Sequence, residues 1–235
     1  MKDTLGDRMK EYYEDRTRNV LPRRTYSIIR IDGKAFHTYT KGLQRPFDDK
    51  LMNDMDETAG FLCKNIQGAK FAFVQSDEIS ILLTDFEELT TDAWFDGNIQ
   101  KMVSVSSSLA TAKFNELRSG KLAFFDSRVF TIPSNVEVEN YFIWRQQDTT
   151  RNSISSVCQS LYSHKQLEGK NTTEQQEMIF QKGTNWNDFA PKYKRGRVIE
   201  RQLYDKDGAT RSKWVMVEPP IFTQEREFLA SRIPL

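Results

Sequence analysis

The 235 residues contain only two cysteines, Cys63 and Cys158, and two histidines, His37 and His164. Neither cysteine has a partner at metal-ligand spacing, so a zinc site is excluded and both read as buried free thiols in a reducing compartment. No apolar run approaches the roughly 20 residues needed to span a bilayer. Met1 to Arg18 is charged throughout and lacks an apolar centre, so no signal peptide is expected there. Net charge is only +1, which rules out overall basicity as a means of holding nucleic acid and leaves a local patch as the alternative. Internal repeats and low-complexity segments are lacking too. What remains, 38% hydrophobic and 29% charged residues, describes a globular protein of one large or two small domains, expected in the cytoplasm with no membrane partner.

Against that background the stretch from Ser27 to His37 stands out. Ile28, Ile29 and Ile31 form a β-branched run of the kind found in buried strands, and it ends on Asp32-Gly33. A carboxylate at the last position of a buried strand lies at the sheet edge, within reach of a metal or substrate. Gly33 permits a sharp turn and close approach of backbone to ligand. The next residues, Lys34 to His37, would offer backbone N–H groups to phosphate oxygens, with Lys34 adding charge. A turn acid that satisfies local N–H groups is the plainer alternative for any single Asp-Gly pair.

The second signal comes 45 residues on (77 − 32). Phe71 to Val74 and Ile79 to Leu83 are strand-like runs separated by Gln75-Ser76-Asp77-Glu78, which predicts a hairpin with two acids at its tip. Tight hairpin turns favour Asn-Gly or Asp-Gly; this one has no glycine, so chemistry other than turning is a candidate reason for its residues. A strand ending at Asp32 beside this hairpin would bring Asp32 and Asp77 to one edge. Two carboxylates and a carbonyl make a hard oxygen site suited to Mg²⁺ that keeps waters and borrows phosphate oxygens. Polymerase palms and nucleotide cyclases hold two metals on such a strand, helix and acid-tipped hairpin.

Along the rest of the chain, residues 1–18 read as a charged amphipathic helix anchored by Met9, Tyr12 and Tyr13, stopped by Pro22. Tyr39 to Pro46 is predicted as a loop. A helix follows from Asp48-Asp49 with Leu51, Met55, Ala59 and Leu62 on one face, ending at Gly68. Asp85 to Asp96 is an acidic linker with Trp94 and Phe95. Asn98 to Leu117 is a second helix whose serines 106–108 make a thin face for close packing. Leu122 to Thr131 is a strand. Ser134 and Glu137 open a third helix to about Tyr162, where Trp144 reads as core and Arg145 as its snorkelling neighbour. Beyond residue 165 come a short helix near Asn171, a basic cluster (Lys192, Lys194, Arg195, Arg197, Arg201) around Tyr193, and a hairpin turning at Asp207-Gly208. Such a cluster is commonly a solvated face; beside a phosphoryl-transfer site, phosphate binding is the stronger reading. The fold class is α+β: a palm-like antiparallel sheet with helices packed on it. Residues 1–135 form the catalytic palm, and residues 136–235 a helical and hairpin extension that completes the fold and binds RNA.

Six blocks occur in order: RIDGKAFH at 30–37, QSDE at 75–78, KMVS at 101–104, FDSR at 125–128, WRQ-x-D at 144–148 and KYKRG at 192–196. Together they resemble the tRNA-histidine guanylyltransferase family, the reverse (3′–5′) nucleotide polymerases, over about residues 5–205. The resemblance implies that Asp32 and Asp77, with the Gly33 carbonyl, hold two Mg²⁺ and that Glu78 supports the second acid. It implies a nucleoside triphosphate, ATP or GTP, cradled by Asp32, Gly33, Lys34, Ala35, Phe36, His37 and Ser76, with Arg45, Asp48, Lys101 and Asn152 also contacting nucleotide. The tRNA would meet Arg151, Lys192, Lys194, Arg195 and Arg197, and the assembly would be a homotetramer.

One departure matters. Eukaryotic members that guanylylate tRNA-histidine carry His-Ile-Asn soon after the WRQ-x-D block, where this chain has Thr150, Arg151 and Asn152. That resembles the Thg1-like branch, so template-dependent repair of 5′-truncated tRNA is the first expectation and guanylate addition at position −1 of tRNA-histidine the second. A nucleotide cyclase and a non-catalytic RNA-binding protein are the readings of another class.

Overall fold

The computed structural model describes residues 4–235. Its centre is a six-stranded antiparallel sheet built from β1 (Tyr26–Gly33), β2 (Ala69–Gln75), β3 (Glu78–Leu83), β4 (Phe125–Ile132), β5 (Arg197–Lys206) and β6 (Ala209–Val217). The order across the sheet is β4-β1-β3-β2-β5-β6, so the isoleucine strand β1 lies beside the acid-tipped β2–β3 hairpin. The helices are α1 (Leu5–Met9), α2 (Phe36–Tyr39), α3 (Asp49–Asn65), α4 (Ile99–Leu117), α5 (Asn135–Leu161), α6 (His164–Leu167), α7 (Thr172–Gln181), α8 (Pro191–Lys194) and α9 (Glu227–Ala230). Among the described residues, no helix is long and apolar enough to cross a membrane.

Both sheet faces are covered, which explains why the central strands are apolar at successive positions. Ile29, Ile31, Val74, Ile79 and Ile81 pack against Met55 and Leu62 of α3 and Met102 and Phe114 of α4. Ile28, Phe71, Phe73, Leu82 and Val198 pack against Val138, Tyr141 and Phe142 of α5 and the C-terminal Phe222, Leu229 and Ile233. The expected thin face of α4 is real: Ser106 is fully buried and its hydroxyl donates to Ser127 of β4 at 2.8 Å. Asp48, Asn98 and Ser134 accept the capping N–H bonds of α3, α4 and α5, as their positions in the sequence predict. The sheet runs unbroken past residue 135, since β5 pairs with β2.

Four local expectations are corrected. The N-terminal segment is α1 followed by short π- and 3-10 turns, and Met9, Tyr12 and Tyr13 are exposed instead of anchored. The stretch expected to begin a loop at Tyr39 is preceded by α2, and the fourth strand starts at Phe125, not Leu122. The roles of Trp144 and Arg145 are exchanged: Trp144 is 46% exposed and Arg145 only 5%. A guanidinium gains enough from two carboxylates to be drawn inward, and the indole is left as its cover at 4.4 Å.

Candidate active site

The acidic edge is a consequence of strand register. Gln75 pairs with Glu78 across a loop made of Ser76 and Asp77 alone, and Asp32 of β1 pairs with Glu78 of β3. Ser76 takes φ 45°, a left-handed conformation that glycine usually fills in such turns. At the end of β1, Gly33 is required for packing: a Cβ there would lie 2.2 Å from the Phe36 ring, which folds over the strand end into the core. Phe36 is buried among Tyr39, Phe114 and Phe125. Only its backbone is therefore available to a ligand, not its ring.

Burial pushes the Asp77 carboxyl up to about 6, with the charges of Asp32 and Glu78 adding to the effect and a bond from Ser76 opposing it. Glu78 is committed elsewhere. Arg145 grips it in a two-pronged pair, Nε to Oε1 at 2.8 Å and an η nitrogen to Oε2 at 2.9 Å, and also reaches Asp148 at 2.9 Å. Buried Gln75 donates to Glu78 at 3.2 Å and accepts from Thr149 of α5 at 2.6 Å. These bonds pin the hairpin tip to α5, so Glu78 holds Asp77 in place and is not itself free to take a metal.

A cleft of about 440 Å³ opens between this edge, α5, and the start of α3 with α8. Asp32, Asp77, Phe47, Asn152, Tyr193 and Arg197 line it, and Ser76, Asp48 and Lys192 complete its walls. Asp48 is there chiefly as a cap, accepting from the Leu51 N–H at 2.7 Å and the Gln44 N–H at 3.2 Å. Arg45 lies in a neighbouring depression with Tyr162 and His164. Lys101 does not reach the cleft; it sits in the first turn of α4, its ammonium 5.9 Å from the Phe95 ring centre. Of the backbone N–H groups expected to meet phosphate at residues 34–37, that of Lys34 is spent on the Phe124 carbonyl at 2.8 Å. The first turn of α2 leaves the N–H groups of Phe36 and His37 without intrahelical acceptors.

The basic cluster departs most from its expected role as an RNA-facing patch. Lys192 and the Tyr193 hydroxyl both donate to one oxygen of Asp49 at 2.7 Å, and these bonds hold the Asp49 carboxyl below its ordinary range. Lys194 is buried, donates to the Asn187 carbonyl at 2.5 Å, and is shifted down by desolvation. Arg197 is 2% exposed; its Nε donates to Asp56 at 2.6 Å, and one η nitrogen is buried with no partner. Arg151 is exposed and paired with Asp148 at 2.9 Å. Arg195, half-buried, and Arg201, exposed, are the two members of the cluster without an ion pair among the described residues. The pairing acids Asp49 and Asp56 lie more than 140 positions earlier, and no sequence signal links them to the cluster.

Among the described residues, no three His, Cys, Asp or Glu side chains converge into a ready metal cage. The edge instead offers Asp32, Asp77 and the Gly33 carbonyl. Two like charges brought together, one with its pKa raised, are relieved by a divalent cation that takes its remaining ligands from water and phosphate. The donor set thus fits Mg²⁺.

Comparison with known proteins adds independent findings. The family model described as tRNAHis guanylyltransferase (Thg1) matches residues 6–133, which is 128 positions (133 − 6 + 1) and more than half of the chain. The solved structure of a bacterial tRNA(His) guanylyltransferase (Thg1)-like protein in complex with ATP is 45% identical, with a TM-score of 0.90 over 99% of this chain and 100% of that one. A Thg1-like protein in complex with GTP is 46% identical, with a TM-score of 0.87 over the same shares. The tRNA(His) guanylyltransferase of Schizosaccharomyces pombe is 28% identical over 226 residues, 87% of this chain and 83% of its own length.

Proposed function

This chain belongs to the Thg1 family of tRNAHis guanylyltransferases, which are nucleotidyltransferases, and from that premise we propose that it adds guanylate to the 5′ end of tRNA-histidine at the Asp32–Asp77 edge. The observation that carries the proposal is the meeting of these two carboxylates in one cleft wide enough for a nucleotide. The relatives' names support guanylylation ahead of general 5′-end repair, and ATP and GTP, the ligands of the two solved Thg1-like structures, are its nucleotides here.

The chemistry is two phosphoryl transfers. The tRNA 5′-monophosphate attacks the α-phosphate of ATP and releases pyrophosphate, leaving a 5′-adenylylated end. The 3′-hydroxyl of GTP then attacks that activated 5′-phosphate, and AMP departs. Asp32, Asp77 and the Gly33 carbonyl would hold Mg²⁺, which when bound lowers the pKa of the attacking hydroxyl and balances charge on the leaving oxygen. Asp32 and Asp77 present their carboxylates to one point because Gln75, Glu78 and Arg145 lock the hairpin tip against α5. Across the cleft, the unpartnered η nitrogen of Arg197 supplies a donor for a phosphate oxygen, and Lys192 adds positive charge. Phe47 and Tyr193, stacked with ring centres 4.7 Å apart, give an apolar wall for a base. Assembly as a tetramer and action in the cytoplasm belong to the same proposal.

One observation favours a second reading, template-dependent repair of 5′-truncated tRNA. Thr150-Arg151-Asn152 replaces His-Ile-Asn, and only Asn152 of the three lines the cleft. The two readings part in one assay with Mg²⁺, ATP and all four triphosphates. Guanylylation predicts a single G added to tRNA-histidine and no extension of truncated tRNAs. Extension that follows the opposite strand, read by sequencing the products, would replace the first reading with the second.

A further inference from the structure

The outer strand of the reactive edge is bare. Along β4 and the residues leading into it, side chains alternate strictly between the two faces. Ala123 and Phe125 are buried in the core, Ser127 accepts from Ser106 of α4, and Val129 packs on the same core. Leu122, Phe124, Asp126 and Arg128 point the other way and are exposed, Leu122 at 63% and Phe124 at 55%. Phe130, next on that face, is covered by Tyr141 of α5 with 5.6 Å between ring centres. The helix therefore roofs the sheet as far as Phe130 and leaves the first stretch of β4 open to solvent.

Register sets this open shelf against the reactive acids. Asp126 pairs with Asp32 and Phe125 with Gly33, and the bond from the Lys34 N–H to the Phe124 carbonyl extends the ladder one step further. Paired residues point to one face, so Phe124 shares the face of Asp32. It is the diagonal neighbour of that acid across β1 and β4, with about 7–8 Å between them. The backbone carrying the ring is tied on both sides. The Asn115 side chain donates to the Ala123 carbonyl and accepts from the Ala123 N–H, both at 2.9 Å, and the Phe125 N–H donates to Thr111 at 3.2 Å. Phe125 takes the aromatic contacts with Phe36 and Phe114, at 5.2 and 5.3 Å. A phenyl ring held in water on so fixed a backbone costs free energy, which a flat apolar partner recovers.

The chemistry of the second transfer identifies that partner. The 3′-oxygen of the incoming nucleotide bonds to the 5′-phosphorus of the RNA as the anhydride bond to AMP breaks, and the hydroxyl proton passes to water. Attacking and leaving oxygens lie in line on opposite sides of the phosphorus. AMP leaves into the cleft on the β2 and α5 side of Asp32, where ATP entered. The attacking nucleotide then approaches from the opposite side, over β1 and β4. We propose that the Phe124 ring stacks on the base of this second nucleotide, with Leu122 extending the apolar step, and so holds its 3′-hydroxyl at Asp32. The proposal rests on the reading of two successive phosphoryl transfers at this edge. Stacking engages the face of a base and is tolerant of which base it is.

The test uses the full-length protein and measures the two transfers separately, with sedimentation velocity on every variant. The first is adenylylation of 5′-monophosphorylated tRNA by labelled ATP; the second is addition of GTP to tRNA adenylylated beforehand. Phe124→Ala should raise the KM for GTP in the second transfer about tenfold with little change in kcat. The KM for ATP in the first transfer should stay at the parent's value, which certifies the fold. Phe124→Leu, apolar but without a ring face, should behave as the alanine variant does, and Phe124→Trp should restore the parent's KM. An unchanged KM for GTP in Phe124→Ala, or full rescue by leucine, overturns the platform and leaves the function standing. A rise in the KM for adenylylated RNA alone gives the ring to the RNA terminus, and altered sedimentation gives it to a second copy of the chain; each overturns the proposal. A parent that adds no GTP to adenylylated tRNA removes the function and the platform together.

Discussion

At the strand edge, Asp32 and Asp77 line one cleft and neither joins a salt bridge among the described residues; across it, Lys192 and Arg197 are each matched to an acid, and neighbouring Lys194 to a carbonyl. The first wall carries unrelieved charge and a raised carboxyl. The second has its cations tied into hydrogen bonds, with one guanidinium nitrogen of Arg197 buried and unpartnered. Folding tolerates the first arrangement at a cost in stability, as sites that must bind a cation do. The second is a scaffold: its cations fasten β5 and α8 to α3, and only what is left over faces substrate.

The comparison is broken most completely by removing the unrelieved charge. Asp32→Ala or Asp77→Ala should lower nucleotidyl transfer by about 10³-fold or more while leaving the protein folded; retained turnover in either variant would move the reaction away from this edge. Arg145→Met strips Glu78 of its buried partner and should cost about 3–5 kcal/mol in urea unfolding, with loss of activity following from the loosened hairpin.

Asp77→Asn tests the cost of the unrelieved charge directly. A carboxyl raised from near 4 to about 6 gives stability that is fully present below pH 4 and lost as pH rises to about 6. With a chelator at pH 7, the amide should therefore stabilise the protein by at most about 3 kcal/mol, the exposed side of Asp77 reducing that figure. The gain should vanish at pH 4. A variant equally stable or weaker at pH 7 would contradict the raised carboxyl. The smallest effect is expected on the opposite wall. Asp49→Asn releases Lys192 and Tyr193, which should change stability by under about 1 kcal/mol and strengthen GTP binding a few-fold in equilibrium titration.

The sheet and its acids were legible because strands leave a short-range mark: β-branched runs, a period of two, and acids placed where the runs stop. Helix caps at Asp48, Asn98 and Ser134 were legible for the same local reason. What misled was chemistry at long range. Five cations in ten residues look like a surface until Asp49 and Asp56 are brought against them by the packing of α3 on β5. Trp144 and Arg145 follow hydropathy only until Glu78 and Asp148 offer the guanidinium a better environment than water. The Lys34 N–H is engaged for a similar reason: it finds Phe124, a partner set by the pairing of β1 with β4.

By itself the sequence determined the principal strands and helices, two acids and a glycine at one sheet edge, and the family, since all of these are written in neighbouring residues or in the order of short blocks. The tertiary structure alone decided which charges stay unpaired. Electrostatic energy depends on distance in space, and whether a cation meets an acid, a carbonyl or only water is settled by packing between residues that the chain keeps far apart.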